Sequence, residues 1–417
     1  MAEIEPLQAL HYNLKKTGGL QAVVAPPYDV IGAQQRQDLA ARSPHNVVKI
    51  DLPVGEDPYG EAAKLFAAWK ADNVLERDAR PALWVLSQDY IGPDGLQRTR
   101  TGFFARVRVE EYGAGRIRPH ERTHPGPKED RLKLTRATSA NLSPIFSLFD
   151  DSSGMARAAL EDATQGPPWG EATDEDGTVN RLWRIEDEMA IATVQKALKS
   201  VELLIADGHH RYETARVYAE EIGGDGPHRY VLMCLVALQD PGLTVFPTHR
   251  LVRGLGSSKQ EELADVIRRD FEIEPLPDPD GLVPQPDTSV RIGYIDGHFR
   301  KPFMLLLKDQ GIADGALGSH SEPYRHLDTA VLEALILKGT LGMSDEAIDH
   351  LDGLGYARDL GEALKLIYDA EYEAGFFMAP IPVQHIQAVA ATGESMPPKS
   401  TYFFPKVPTG LLFNPLD

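Results

Sequence analysis

Apolar residues recur along this chain in two rhythms. Short apolar runs of four to nine residues bounded by Gly, Pro, Asp or Asn predict strands. They fall at Gln21–Ala25, Val47–Leu52, Ala82–Gln88, Thr101–Val109, Pro144–Phe149, Val201–Ala206, Tyr230–Leu238 and Leu243–Phe246. Val290–Ile295 and Phe303–Leu307 predict a hairpin around Asp296-Gly297. A three-to-four-residue rhythm predicts helices instead. Pro58–Asn73 carries Ala62, Ala63, Leu65, Phe66 and Trp69 at that spacing, and Arg211–Ile222 carries Tyr212, Ala215, Val217, Tyr218 and Ala219. Further helices are expected at Ile191–Lys199, Lys259–Phe271, His326–Leu337 and Leu360–Glu373. Asp150–Gly177 is rich in acids, Gly and Pro and reads as a surface excursion.

Strands interleave with helices, yet several strand pairs read as hairpins. The expected class is therefore α+β, a mixed sheet with flanking helices, rather than a doubly wound parallel sheet. At 417 residues, two or three domains are expected. The pattern suggests 1–150 as an N-terminal α/β region, 178–310 as a core and 311–417 as a helical region with a distinctive tail.

Charge changes the picture. Lys and Arg number 43 against 62 Asp and Glu, a formal net charge of −19. Nucleic-acid affinity rests on Lys and Arg, so a nucleic-acid partner is not expected. Hydrophobic residues at 42% and charged residues at 25% are ordinary globular values. No window approaches the ~20 apolar residues of a membrane span. The opening residues lack the basic stretch and apolar run of a signal peptide. A lone cysteine, Cys234, sits in the apolar run Val231–Val236 and reads as core. A cytoplasmic protein without a membrane partner is the expectation.

Against this acidic background, a few segments concentrate chemistry. In Ile205-Ala206-Asp207-Gly208-His209-His210-Arg211, an apolar strand stops at a glycine and a helix begins. Helix-start amides favour an anion, and two histidines and an arginine there suit a phosphate. Asp207 is then free to hold a metal, orient a histidine or accept a proton; the structural alternative is a helix cap beside surface histidines. A second cluster runs from Arg116 to Lys133 and includes His120, Glu121, Thr123, His124, Lys128 and Arg131. Glu121 among cations would stay ionised and could serve as a general base. A solvated loop of mutually paired charges is the alternative. Pro-Gly-Pro after His124 predicts a loop there. Pro26-Pro27 presents Tyr28 and Asp29, Pro247-Thr248 leads into His249 and Arg250, and the tail offers Lys399-Ser400-Thr401 beside aromatics. Each of these three has an equally simple structural reading as a turn, a hairpin edge or a final strand. No P-loop, Gly-x-Gly-x-x-Gly or Gly-x-Ser-x-Gly motif occurs.

The ordered set Ala25–Ile31, His120–Thr123, Lys128–Arg131, Asp207–Arg211, Phe246–Val252 and Met396–Gly410 resembles the prokaryotic family known as domain of unknown function ten-fifteen. The short Asp-Gly-His-His-Arg box also resembles that of the ParB and sulfiredoxin-like superfamily, whose free-serine-kinase branch places such a turn at the nucleotide phosphates. The resemblance implies a ParB/sulfiredoxin-like nucleotide-binding core within the mixed fold. It further implies a small-molecule phosphotransferase using Mg2+ and ATP or ADP, with L-serine as acceptor. On that reading Glu121, Asp207 and His210 are catalytic. Gly208, His209, His210, Arg211, Lys128, Arg131 and Lys399 bind phosphate. Tyr28, Asp29, His120, Thr123, His249 and Arg250 bind a small anionic substrate, and Asp207 and Asp29 hold the metal. The loop near Glu121 and the turn at Asp207–Arg211 are expected to line one cleft, with Asp29 and Lys399 nearby.

Two other functions compete. A metal-dependent, phosphatase-like hydrolase would use His120, His124, Asp207, His209 and His210. A regulatory protein would bind nucleotide without turning it over.

Overall fold

The computed structural model describes residues 3–121 and 125–417 of the chain. The chain divides into two compact units. The first comprises Met1–Pro119, Thr123–Leu243 and Pro405–Asp417; the second comprises His120–Arg122 and Thr244–Phe404.

In the first unit the described residues build a nine-stranded sheet. Its order is Ile117–Arg118, Leu203–Asp207, Ile145–Phe149, Tyr230–Ala237, Gln97–Arg108, Leu83–Ile91, Val179–Ile185 and Gly170–Thr173, with Ile4–Glu5 paired to the far end of Gln97–Arg108. Tyr230–Ala237 runs parallel to Ile145–Phe149 and antiparallel to Gln97–Arg108, so the sheet is mixed, as expected. Alternation along its strands sets Val85, Phe103, Ala105, Ile145, Leu203, Ile205 and Met233 into one apolar core. Helices Met155–Glu161 and Glu188–Leu198 contribute Ala156, Leu160, Val194 and Leu198 to the same core. Cys234 lies buried in the central strand, where burial pushes its thiol up to about 12.

The second unit carries a six-stranded antiparallel sheet in the order Phe271–Pro275, Pro302–Leu307, Arg291–Asp296, Ala374–Phe377, His249–Val252 and Leu354–Ala357. The expected hairpin is its Arg291–Asp296/Pro302–Leu307 pair. A separate two-stranded ribbon joins Thr244–Phe246 to Tyr402–Phe404.

Several sequence expectations need correction. Val47–Leu52 is not a strand; Val48–Asp51 is a short buried helix. Asn46 starts it, accepting from the Val48 amide at 3.0 Å while donating to the Ala22 and Val24 carbonyls. With three of its four residues buried, so short a helix mimics a buried strand in sequence. Gln21–Ala25 is a turn rather than a strand, with the Val23 and Val24 amides both bonded to the Leu20 carbonyl. The expected loop after His124 is the helix Pro125–Thr138. Proline is compatible with a first helical turn, where its missing N–H has no intrahelical acceptor to lose. Asp150–Gly177 contributes more than a surface excursion. Asp151 caps the helix Met155–Glu161 through the Ala156 and Arg157 amides at 3.2 and 2.9 Å, and Gly170–Thr173 forms a sheet edge. His326–Leu337 divides into Asp328–Leu332 and a π-helical Glu333–Lys338.

Gly242 marks where the first unit tolerates no side chain. A Cβ there would lie 2.1 Å from the Thr99 carbonyl oxygen, a backbone atom that cannot swing away. Gly242→Ala is expected to lower the urea-unfolding free energy by about 1–3 kcal/mol. Gly166→Ala, with nothing within 4 Å, is expected to change it by less than about 0.5 kcal/mol.

Candidate functional site

The strand Leu203–Asp207 ends irregularly. Its pairing with Ile145–Phe149 shifts register between Ile205 and Asp207, leaving Ala206 as the extra residue. Regular alternation would set Asp207 on the face of Ile205, in the apolar core; a bulge re-aims the strand end. Gly208 follows with φ 94° and ψ 30° and starts the helix His209–Ile222. Glycine is required there twice over. The left-handed backbone disfavours a Cβ, and a Cβ would lie 2.9 Å from Arg211 Nε. The Arg211 guanidinium is thus folded back over the turn. The amides of His209, His210 and Arg211 belong to the first helical turn, which has no intrahelical acceptors.

Asp207 is held from two sides. Arg211 Nη2 donates to its Oδ2 at 2.5 Å, and Lys406 Nζ donates to its Oδ1 at 2.5 Å. Burial opposes ionisation of Asp207, but Lys406 and Arg211 outweigh it and hold the carboxyl well below the usual carboxylate range. Arg211 also donates to the Pro144 carbonyl. Its own burial works against its charge, yet Asp207, Asp29, Tyr28 and Asp51 together keep it raised.

Lys406 is itself placed by a buried guanidinium. Arg100 Nε donates to Gln88 Oε1 at 3.1 Å, and its Nη2 donates to the Pro405 carbonyl at 2.5 Å. Gln88 Nε2 donates to the Lys406 carbonyl at 3.1 Å. Two residues of the central sheet therefore fix the backbone that presents the lysine.

Beside the turn lies a second polar group. Arg131, on the helix Pro125–Thr138, donates to the Asp51 carbonyl at 2.7 Å and to Asp130 Oδ2 at 2.5 Å. Its guanidinium lies 4.1 Å from the centre of the Tyr28 ring. Ser143 donates to Asp51 Oδ1 at 3.0 Å. Burial pushes Asp51 up despite Arg131 and Ser143, and burial pushes the Tyr28 phenol up to about 12. Asp51, Arg131, Ser143 and Arg211 line a small pocket of about 40 Å³. That is room for a water, and Arg211 Nε is a buried donor without a partner among the described residues.

The sequence candidates thus fall into two groups. Tyr28, Asp29, Lys128, Arg131 and Asp207–Arg211 belong to the first unit. Within it, Tyr28, Asp29, Arg131, Asp207 and Arg211 share one electrostatic neighbourhood. His209 is buried and lies within electrostatic reach of Asp207, while His210 is half-buried. Lys128 sits one helix away, its carbonyl accepting from Thr214. Sequence reasoning did not nominate Asp51, Ser143, Arg100 or Lys406. Lys406 had a usable signal, as one of two lysines in the aromatic tail.

The second unit holds His120, Glu121, His249, Arg250 and Lys399. His120 Nε2 lies 2.9 Å from Thr401 Oγ1, and the ring packs edge-on against Phe403. Arg250 is buried and donates to the carbonyls of Thr248 and Pro398. Its guanidinium lies 5.4 Å from the Tyr356 ring, and Glu121 is within electrostatic reach of the same tyrosine. The Met378 amide donates to His249 Nδ1 at 3.3 Å, and burial with Arg250 pushes His249 down to about 4. His249 is therefore neutral at pH 7. Lys399 is exposed and adopts φ 54°. Thr123, with Arg122 and His124, lies outside the described residues.

Among the described residues no three His, Cys, Asp or Glu side chains gather in a metal-binding group. No described helix is long and apolar enough to cross a membrane.

A family model described as a protein of unknown function (DUF1015) matches residues 4–330. The chain belongs to the DUF1015 family. No curated protein matches it. Among solved structures, it is similar to a conserved hypothetical protein from Pyrococcus furiosus, 15% identical with a TM-score of 0.34 over 70% of this chain and 89% of that one. A free serine kinase in complex with AMP is 14% identical with a TM-score of 0.33 over 69% and 83%. SbnI with a C-terminal truncation, from Staphylococcus aureus, is 12% identical with a TM-score of 0.36 over 72% and 82%. Likenesses this loose transfer no residue and no ligand to the present chain.

Asp207→Asn would leave Lys406 and Arg211 without their counter-charge. It is expected to cost about 3 kcal/mol at pH 7 in urea unfolding. The folded carboxyl is depressed, so the pairing stabilises fully above about pH 4 and fades as the pH falls toward the folded value. The gap between parent and variant should therefore close below about pH 4; a constant gap would contradict the pairing. Gly208→Ala is expected to cost about 1–2 kcal/mol from the left-handed backbone alone, read as a lower thermal midpoint.

Proposed function

We propose that this protein is a small-molecule phosphotransferase that binds a nucleotide at the Asp207–Arg211 turn. The observation carrying this reading is the turn itself. A left-handed glycine joins the end of a buried strand to the start of a helix, beside a fixed Asp207–Arg211–Lys406 charge cluster. Amides and the positive end of a helix dipole are suited to phosphate oxygens. The sequence resemblance of the Asp-Gly-His-His-Arg box supports a ParB/sulfiredoxin-like nucleotide-binding core and a free serine kinase activity, with L-serine as acceptor and ATP or ADP as donor.

Side-chain engagement refines the assigned roles. Arg131 is buried and Arg211 half-buried, and both are already bonded to carboxylates and carbonyls, so their proposed role is to position the phosphate cradle. His209 and His210, in the first helical turn, are the proposed phosphate contacts, with Lys128 as a further cation. Of the two carboxylates nominated for Mg2+, Asp29 is exposed on the short 3-10 turn Tyr28–Val30 and fits a hydrated ion. Asp207 fits less well, because each oxygen already accepts from a cation. When bound, the ion would neutralise phosphate charge. Glu121 is the proposed base, taking the serine hydroxyl proton as the serine oxygen bonds to phosphorus and the bond to the nucleotide oxygen breaks. His120, Thr123, Arg250, Tyr28 and Lys399 remain proposed anion contacts.

Phosphorus NMR of the protein with Mg2+ and ATP or ADP, with and without L-serine, tests this reading. A phosphomonoester signal that requires serine is expected. His210→Ala and Glu121→Gln should each slow its appearance at least ~100-fold. Inorganic phosphate that forms regardless of serine would point to a hydrolase instead. Unchanged nucleotide would remove the kinase reading.

A further inference from the structure

The stretch Asn46–Asp51 supplies none of the proposed ligand or metal contacts, yet it ties together stretches that do. At its start, Asn46 Nδ2 donates to the Ala22 and Val24 carbonyls at 2.9 and 3.1 Å, and the Val47 amide donates to the Val23 carbonyl at 2.8 Å. Ala25 exchanges backbone hydrogen bonds with Thr409, at 3.1 and 2.8 Å. These bonds set the path of the chain into Pro26-Pro27, which leads directly to Tyr28. At its end, the Asp51 carbonyl accepts from Arg131 and its Oδ1 from Ser143, whose Oγ lies 3.0 Å from Thr409 Oγ1. Thr409 belongs to the same tail as Lys406.

Tyr28 is where this scaffold meets the candidate site. Its ring is half-buried beneath the Arg131 guanidinium, and Arg211 of the turn lies within electrostatic reach of its phenol. Among the described residues the hydroxyl has no hydrogen-bond partner. Burial keeps it protonated at neutral pH, so it is a donor without an acceptor.

Arg131, which backs that ring, is shared between two carboxylates. Its pair with Asp51, at 3.4 Å, is buried on both sides. Its pair with Asp130, at 2.5 Å, involves a more exposed carboxylate that also accepts from the Tyr59 hydroxyl at 2.8 Å. Without the charge of Asp51, the guanidinium would be drawn by Asp130 alone. A planar fork displaced toward Asp130 no longer backs the Tyr28 ring in the same place.

We propose that Asp51 is a positioning residue: it holds Arg131, and through it the Tyr28 ring, so that the phenol hydroxyl meets the anion bound at the Asp207–Arg211 turn. This rests on the phosphate-binding reading of that turn.

Isothermal titration calorimetry of the full chain with inorganic pyrophosphate at pH 7 tests it. Tyr28→Phe keeps the ring and removes only the donor; it should weaken binding about tenfold. Asp51 is a negative charge within electrostatic reach of Arg211, so by charge alone Asp51→Asn would tighten an anion. Positioning demands the opposite sign, a loss of at least about threefold. In the Tyr28→Phe background, Asp51→Asn should bring no further loss. Unchanged or tighter binding by Asp51→Asn overturns the proposal, as does an unaffected Tyr28→Phe. Equal losses in both backgrounds also overturn it, because a general structural defect would not depend on the hydroxyl. Should Asp51→Asn fail to fold, Arg131→Lys carries the same cycle with the same expected dependence on Tyr28. A parent protein that binds no pyrophosphate removes the phosphate reading and this proposal together; binding without the Tyr28 dependence removes the proposal alone.

Discussion

A single ionised carboxylate, Asp207, organises the first unit. It lies at the end of a buried strand, where a lone charge would be costly, and two cations make it tolerable. Several neighbouring features follow from that requirement. The strand bulges before Asp207, so the side chain leaves the apolar register. Position 208 must be glycine, because Arg211 folds back to reach Asp207 across the space a Cβ would fill. Gln88 and Arg100 are polar residues in the middle of a sheet because they hold the backbone that delivers Lys406.

The same economy applies to the buried arginines. Arg100 is stacked 4.5 Å above the Phe146 ring and receives carbonyl and amide oxygens rather than a carboxylate. Burial lowers its affinity for a proton to about 10, so it still carries its charge at neutral pH. A lysine could not copy this arrangement, because the planar fork serves Gln88 and Pro405 at once. Arg250 in the second unit is held by the same device, two carbonyls and a tyrosine ring.

Much of the sheet was legible in the sequence. Tyr230–Ala237, Leu83–Ile91 and Ile145–Phe149 are apolar runs bounded by breakers, and each is a strand. The turn at Asp207–Arg211 was legible because a strand, a glycine and a run of titratable residues follow one another directly. Two kinds of information were hidden. Val48–Asp51 is a single turn with all but Lys49 buried, too short for its rhythm to reveal a face. Asp51 was lost with it, although it anchors Arg131. The second kind is distance along the chain. Lys406 meets Asp207 across 199 residues, and no local pattern encodes such a partnership. His120 likewise shares a unit with Thr244–Phe404 while its sequence neighbours up to Pro119 belong to the other.

That separation has a consequence in time. Ribosomes emit roughly 5–20 residues per second, so on the order of 10–40 s pass between the synthesis of Asp207 and that of Lys406. Throughout that interval the strand, the glycine turn and Arg211 exist without the second cation. The nascent sheet must wait with its most demanding charge half compensated, exposed to chaperones and to premature pairing. Birth order, as much as geometry, then decides when the cluster closes, because the ammonium that completes it is made 199 residues after the carboxylate.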